Sequence, residues 1–171
     1  MKLKRHLSCF CVAGIVSFGT QAETHIFRLV SKIDKSQFFS HQITDIAFSP
    51  SSLTLKTNTE KNTFNDAFTL LTVTTDIPSS DQSIKFQLFM KSNTSQCYSA
   101  DETALLTPSD FAQVYIEGQP LTEIEPMLME FNQASDGVKV GEYDVKFSFG
   151  TLPDRASLCQ GELSVLAELS L

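Results

Sequence analysis

Apolar and polar residues alternate with a period of two along much of the chain, most clearly at Tyr143, Val145, Phe147 and Phe149, with Asp144, Lys146 and Ser148 between them. Successive side chains of an extended chain point to opposite faces, so this run predicts a strand with one face buried. The same pattern recurs at Ile84, Phe86, Leu88 and Met90, at Ala112, Val114 and Ile116, at Leu53 and Leu55, and at Leu71, Val73 and Thr75. Turn-forming clusters separate the runs: Ser49-Pro50-Ser51-Ser52, Pro78 to Asp81, Ser92 to Ser95, Pro108-Ser109-Asp110, Glu117 to Pro120, Ser135-Asp136-Gly137 and Gly150 to Pro153. Short strands at this spacing predict an all-β sandwich. Helical periodicity is weak, with Asp101 to Leu106 and Leu121 to Asn132 as candidates. Pro126 interrupts the second, where Met127, Met129 and Phe131 also fit a strand, so that segment stays open between the two.

The two ends carry more information than the middle. From Gly161 to Leu171 the alternation puts Leu163, Val165, Ala167, Leu169 and Leu171 on one face of an extended strand. Near the other end Phe27, Leu29 and Ile33 share a face, with Ser31 as its small member. Ahead of them, Lys2, Lys4, Arg5 and His6 precede an apolar stretch from Leu7 to Phe18 and then Thr20-Gln21-Ala22. This predicts a secretory signal peptide over residues 1–22, because the apolar stretch is shorter than the ~20 residues of a membrane-spanning helix. The exported chain then starts at Glu23.

A chain of 171 residues, 42% hydrophobic and 19% charged, is enough for one packed domain. Loss of the leader leaves 10 Lys and Arg against 20 Asp and Glu, a surface unsuited to nucleic acid. No Lys or Arg lies between Lys91 and Lys139, whereas Asp101, Glu102, Asp110, Glu117, Glu123, Glu125, Glu130 and Asp136 all do. That stretch reads first as a solvated face, and second as a surface for a basic partner or a cation. Cys9 and Cys11 leave with the leader, and an even pair in an exported chain predicts one disulfide between Cys97 and Cys159.

Catalytic patterns do not emerge. His25 and His41 stand in no metal-ligand spacing, and there is no nucleophile elbow or glycine-rich phosphate loop, so neither enzyme activity, a metal nor a cofactor is expected. Asn93-Thr94-Ser95 matches the N-glycosylation pattern. The phenylalanines of the exported chain read as core, and of the adjacent Phe38 and Phe39 one should point outward if they lie on a strand.

Taken together, the leader, the alternating Thr24 to Asp34 segment, the Val140 to Phe149 strand and the alternating terminal strand make the chain resemble subunits of chaperone–usher fimbriae, in particular the alpha (class 5-like) branch of these surface pili. The resemblance implies an immunoglobulin-like β-sandwich over residues 35–171 that lacks its last strand, preceded by a donor-strand extension over residues 23–34. It implies a pilus subunit of the shaft or a minor position, exported through the periplasm to the cell surface and polymerised by donor-strand exchange. Phe27, Leu29 and Ile33 would be donor residues, and Leu163, Val165, Ala167, Leu169 and Leu171 would line the groove strand read by the chaperone. The implied partners are neighbouring pilus subunits, a periplasmic chaperone, an outer-membrane usher and a host-surface receptor. The alternative is a self-contained secreted or periplasmic β-sandwich that binds a glycan, lipid or protein, its N-terminal segment pairing within its own chain.

Overall fold

A computed structural model of the chain describes residues 40–81 and 83–170. The expected leader, the donor residues Phe27, Leu29 and Ile33, His25, Phe38, Phe39 and the last groove residue Leu171 lie outside the described residues. Within them the chain is all-β, with twelve strands: β1 Ile43–Ser49, β2 Thr57–Asn58, β3 Thr63–Phe64, β4 Ala67–Pro78, β5 Lys85–Tyr98, β6 Ala104–Leu105, β7 Ala112–Ile116, β8 Gln119–Leu121, β9 Met127–Met129, β10 Gln133–Ser135, β11 Val138–Phe149 and β12 Leu158–Ser170.

The strands form two main antiparallel sheets. One runs β1-β4-β11-β7-β8, with β10 also paired to β11; the other runs β12-β5-β6, with β9 also paired to β5; β2 and β3 form a separate hairpin. The inner faces meet in a single core, where Leu71 and Val73 of β4, Val114 and Ile116 of β7 and Tyr143 and Val145 of β11 pack against Phe86, Leu88 and Met90 of β5. This sheet-on-sheet arrangement is a β-sandwich. Asn93 links the layers, since its Nδ2 on β5 donates to the carbonyl of Ala112 on β7 at 2.6 Å.

Two turns follow directly from residue chemistry. Two-residue hairpin loops need positive φ at their central residues. Glu117-Gly118 (φ 49° and 76°) joins β7 to β8, and Asp136-Gly137 (φ 52° and 80°) joins β10 to β11. Aromatic rings close the core at two places. Phe64, Phe111 and Phe149 form one cluster with centroids 5.5 to 6.3 Å apart, and Phe86 stacks with Phe131 at 4.9 Å and Tyr143 at 5.8 Å. Phe68 departs from the expectation that the phenylalanines are core, lying 62% exposed on the outer face of β4.

Tyr143 also shows how closely the layers are fitted. Its hydroxyl donates to the carbonyl of Glu130 at 2.7 Å, and its ring leans over Gly141, where an added Cβ would lie 2.3 Å from the hydroxyl oxygen. Burial holds the phenol well above its ordinary pKa, and the Glu117 and Glu130 carboxylates add to the shift. Because the ring is packed and bonded it cannot swing away cheaply. Gly141→Ala is therefore expected to cost about 1–3 kcal/mol in chemical denaturation, as overpacking does. Tyr143→Phe should cost only about 1 kcal/mol, the net worth of one hydrogen bond.

Three sequence expectations change. Ser92 to Ser95 is not a turn but the middle of the 14-residue strand β5, its polar residues tolerated because a bulge and partial exposure fall there. Leu53 and Leu55 lie on an extended segment with no ladder of its own, the nearest strand being the two-residue β2. Asp101 to Leu106 contains β6, and the undecided 121–132 segment contains β9, so neither is helical.

Candidate functional site: the open edge between the sheets

A sandwich has two open sides where the sheet edges face each other, and the two sides of this domain are built differently. On one, the edge strand β8 passes to the edge strand β9 of the other sheet through only residues 122–126, so the chain itself closes the gap. The inward residues there, Leu121 and Met129, are 4% and 8% exposed. On the other side stand β1 and β12. Among the described residues β12 pairs with β5 alone and β1 with β4 alone, and no strand bridges them.

The difference shows in burial. No residue of β12 is fully buried along its 13 positions, although Leu163, Val165, Ala167 and Leu169 all pack against the core. Ile43, Ile46 and Phe48 of β1 are likewise half-buried and packed against the same core. Two half-buried apolar rows thus border the gap between the sheet edges, and among the described residues no strand lies in it. At one end the gap opens into a cavity of about 710 Å³, whose walls include Phe48, Leu55, Phe149, Leu158, Gly161 and Leu163. Phe48 at the end of β1 meets the start of β12 there, so the two strands run in opposite directions along the gap.

The terminal strand keeps one face inward because of a bulge in its partner. Val165 stands opposite Met90 and Leu163 opposite Asn93, so β5 carries one more residue than β12 around Lys91 and Ser92. An extra residue flips the alternation of the strand that holds it. In β5 the inward set changes from Phe86, Leu88 and Met90 to Asn93, Ser95 and Cys97, while β12 presents Cys159, Gly161, Leu163, Val165, Ala167 and Leu169 without interruption.

Cys97 and Cys159 are directly opposed in this ladder and joined by a disulfide, with Cα atoms 4.0 Å apart. Cys97 is fully buried, and Cys159 forms part of the cavity wall. The bond therefore pins the start of the edge strand at the cavity.

Sequence reasoning missed half of this site. The inward residues of β1 are spaced Ile43, Ile46 and Phe48, and the register shift between Ile43 and Asp45 explains why. A bulge at the start of the strand breaks period two, so no alternation test selects these residues. Leu53 and Leu55 were visible, but as a strand rather than as a cavity wall.

Other candidate chemistry is dispersed. The carboxylates of the acidic stretch do not converge, and among the described residues no three His, Cys, Asp or Glu side chains are placed to hold a metal ion. Glu130 instead pairs with Lys85 at 2.5 Å, and that hydrogen bond and charge hold its pKa below the usual value. Hydrogen bonds from Ser99 and Thr103 lower that of Asp101. His41 lies 3.4 Å from the Asp76 carboxylate at the start of β1. Asn93 of the glycosylation pattern is half-buried with its amide engaged between the sheets. Comparison with protein-family models and with curated proteins finds no match.

Proposed function

We propose that the chain is a structural subunit of a chaperone–usher type surface fibre, which polymerises when a strand from a neighbouring subunit enters the gap between β1 and β12. One observation supports the reading: the chain itself closes the β8/β9 side, whereas among the described residues no strand pairs with the outer edge of β12 or of β1. A long edge strand with a half-covered apolar face needs a partner, since such edges otherwise invite uncontrolled pairing. Strand addition supplies one through main-chain hydrogen bonds and side chains in pockets.

Strand order supports an immunoglobulin-like assignment. In that fold the constant-type sheets are ABED and CFG. Taking β1, β4, β5, β7, β11 and β12 as A to F gives A-B-E-D in one sheet and F-C in the other, with G absent among the described residues. In that scheme strand G would lie on the outer edge of β12. In this reading Leu163, Val165, Ala167, Leu169 and Leu171 form one wall of the acceptor groove, and the chain passes through the periplasm on a chaperone and an usher before reaching the surface. Phe27, Leu29 and Ile33 are the residues it donates in turn, and catalysis has no part in the role.

Leu29→Asp is the test. Placing a charge in an apolar groove is costly, so fibre or oligomer formation by the exported protein should be abolished while circular dichroism of the domain is unchanged. Normal assembly by this variant would remove the reading. The cavity of about 710 Å³ favours a second one, a self-contained domain that takes an apolar ligand there. A stable monomer at high concentration would favour it.

A further inference from the structure

The cavity at the end of the gap has a wall that selects the chemistry of an occupant. Its apolar lining is gathered from separate elements: Phe48 from β1, Phe64 from β3, Phe149 from the end of β11, Leu163 from β12, and Leu53 and Leu55 from the extended segment before β2. All of these are only half-buried, whereas inward residues at the centre of the sandwich, such as Leu71, Phe86 and Val145, are fully buried. Large apolar side chains left partly in water therefore converge on one space of about 710 Å³. That volume lies within the range of about 300–1,000 Å³ typical of small-molecule sites.

The polar groups of the wall favour an acyl chain over a sugar. Thr69 Oγ1 donates to the carbonyl of Pro50 at 2.7 Å and Asn93 Nδ2 to the carbonyl of Ala112 at 2.6 Å, so the inner donors are already committed to the main chain. Among the described residues no buried side-chain nitrogen or oxygen lacks a partner. A sugar placed there would give up its water without regaining the lost hydrogen bonds. Ser51, Ser52, Thr54 and Gln160 border the same cavity but are exposed, which puts free hydroxyl and amide groups at its rim. Apart from the bridged Cys159, Glu162 is the one ionisable side chain bordering the cavity among the described residues, and it too is exposed. An anionic head group at the rim would meet a like charge.

We infer that this cavity binds the acyl chain of a single-chain lipid with an uncharged head group, the chain among the phenylalanines and the head among the exposed polar groups of the rim. The inference rests on the second reading above, for whose cavity it names the ligand class, and not on the fibre role. It also accounts for the alternation at Leu53 and Leu55. These two are half-buried against the cavity while Ser52 and Thr54 are exposed, and residues 53–56 join no ladder. The period-two pattern there turns apolar side chains toward a ligand space instead of toward a neighbouring sheet.

The test uses the full chain, expressed with its leader, recovered after export and freed of lipid on a hydrophobic resin. The probe is N-phenyl-1-naphthylamine, an uncharged dye that fluoresces in apolar sites, and size-exclusion chromatography is run on the same samples. The expected result is saturable binding that monolauroylglycerol, below its micellar concentration, displaces about two- to fivefold better than laurate does, the range of one exposed charge contact. Glu162→Gln should remove that preference. Leu53→Ser combined with Leu55→Ser should weaken probe binding at least about tenfold, because two apolar contacts are lost. Both leucines lie outside any ladder, so far-UV circular dichroism should not change, and Glu162 is exposed, so its variant reports on the site even if the double variant unfolds. A stable monomer that binds no probe overturns the inference while leaving a self-contained domain standing. Oligomers that bind no probe defeat both. Probe binding unaffected by the folded double variant, or laurate displacing better than monolauroylglycerol, also overturns the inference.

Discussion

Replacing Cys97 and Cys159 together by Ala is expected to destabilise the domain by about 4 kcal/mol. The bridge joins positions 62 residues apart, and tying a loop of that length removes roughly this much free energy from the unfolded chain in the chain-entropy account. The structure adds a local reason for the effect to be large. The disulfide ties an edge strand that β5 alone holds among the described residues, and it fixes the end of that strand beside the cavity of about 710 Å³. Without it, Leu158 to Leu163 would fray into the space they border. The thermal midpoint should fall on the order of 15 °C, and hydrogen exchange should rise first at the start of β12. A midpoint shift of only a few degrees would mean that β12 is held by contacts other than its ladder with β5.

Val165→Asp should have a large effect of a different kind. Val165 sits at the centre of the inward face, opposite Met90, yet it is only half-buried, and among the described residues no strand pairs with the outer edge of β12 beside it. In the isolated domain a carboxylate can still reach water, so the cost should be about 1–3 kcal/mol. Once a strand lies over that face the same carboxylate is trapped, and assembly should be lost altogether. The neighbouring Leu166→Asp changes the outer face and should alter stability by no more than about 0.5 kcal/mol. Fibre yield and urea midpoint measured on both variants separate the cases. Equal behaviour of the two would mean that the inward face of β12 is not a binding face.

Much of the fold was legible because burial on one face leaves a period-two trace. Phe86, Leu88 and Met90, then Val114 and Ile116, then Tyr143 and Val145 were all readable as inward residues, and they form the core. The inward row of β12 was readable for the same reason, since the extra residue of the bulge sits in β5 and not in β12. Where the bulge does sit, reading failed: the polar run Ser92 to Ser95 looks like a turn because its alternation changes phase in the middle of a strand. β1 failed likewise at its register shift between Ile43 and Asp45. The pairing of Cys97 with Cys159 followed from counting, whereas their position at the cavity depends on long-range register that no local pattern encodes. The asymmetry between the covalently closed side and the open side is a property of topology, and it became visible only once β8, β9, β1 and β12 had been placed at sheet edges.

On the proposed fibre role, the outer edge of β12 is unpaired in the free subunit and paired in the assembled one. Hydrogen–deuterium exchange of the exported protein, resolved to β12 peptides and compared between monomer and oligomer fractions separated by size, tests it most directly. In the monomer, alternate amides of β12 that do not bond to β5 should exchange within seconds to minutes, while those of β4, β5 and β11 stay protected. In the oligomer the same β12 amides should become protected by several orders of magnitude. Uniform strong protection of β12 in the monomer would contradict the account, because it would mean that the edge is already filled.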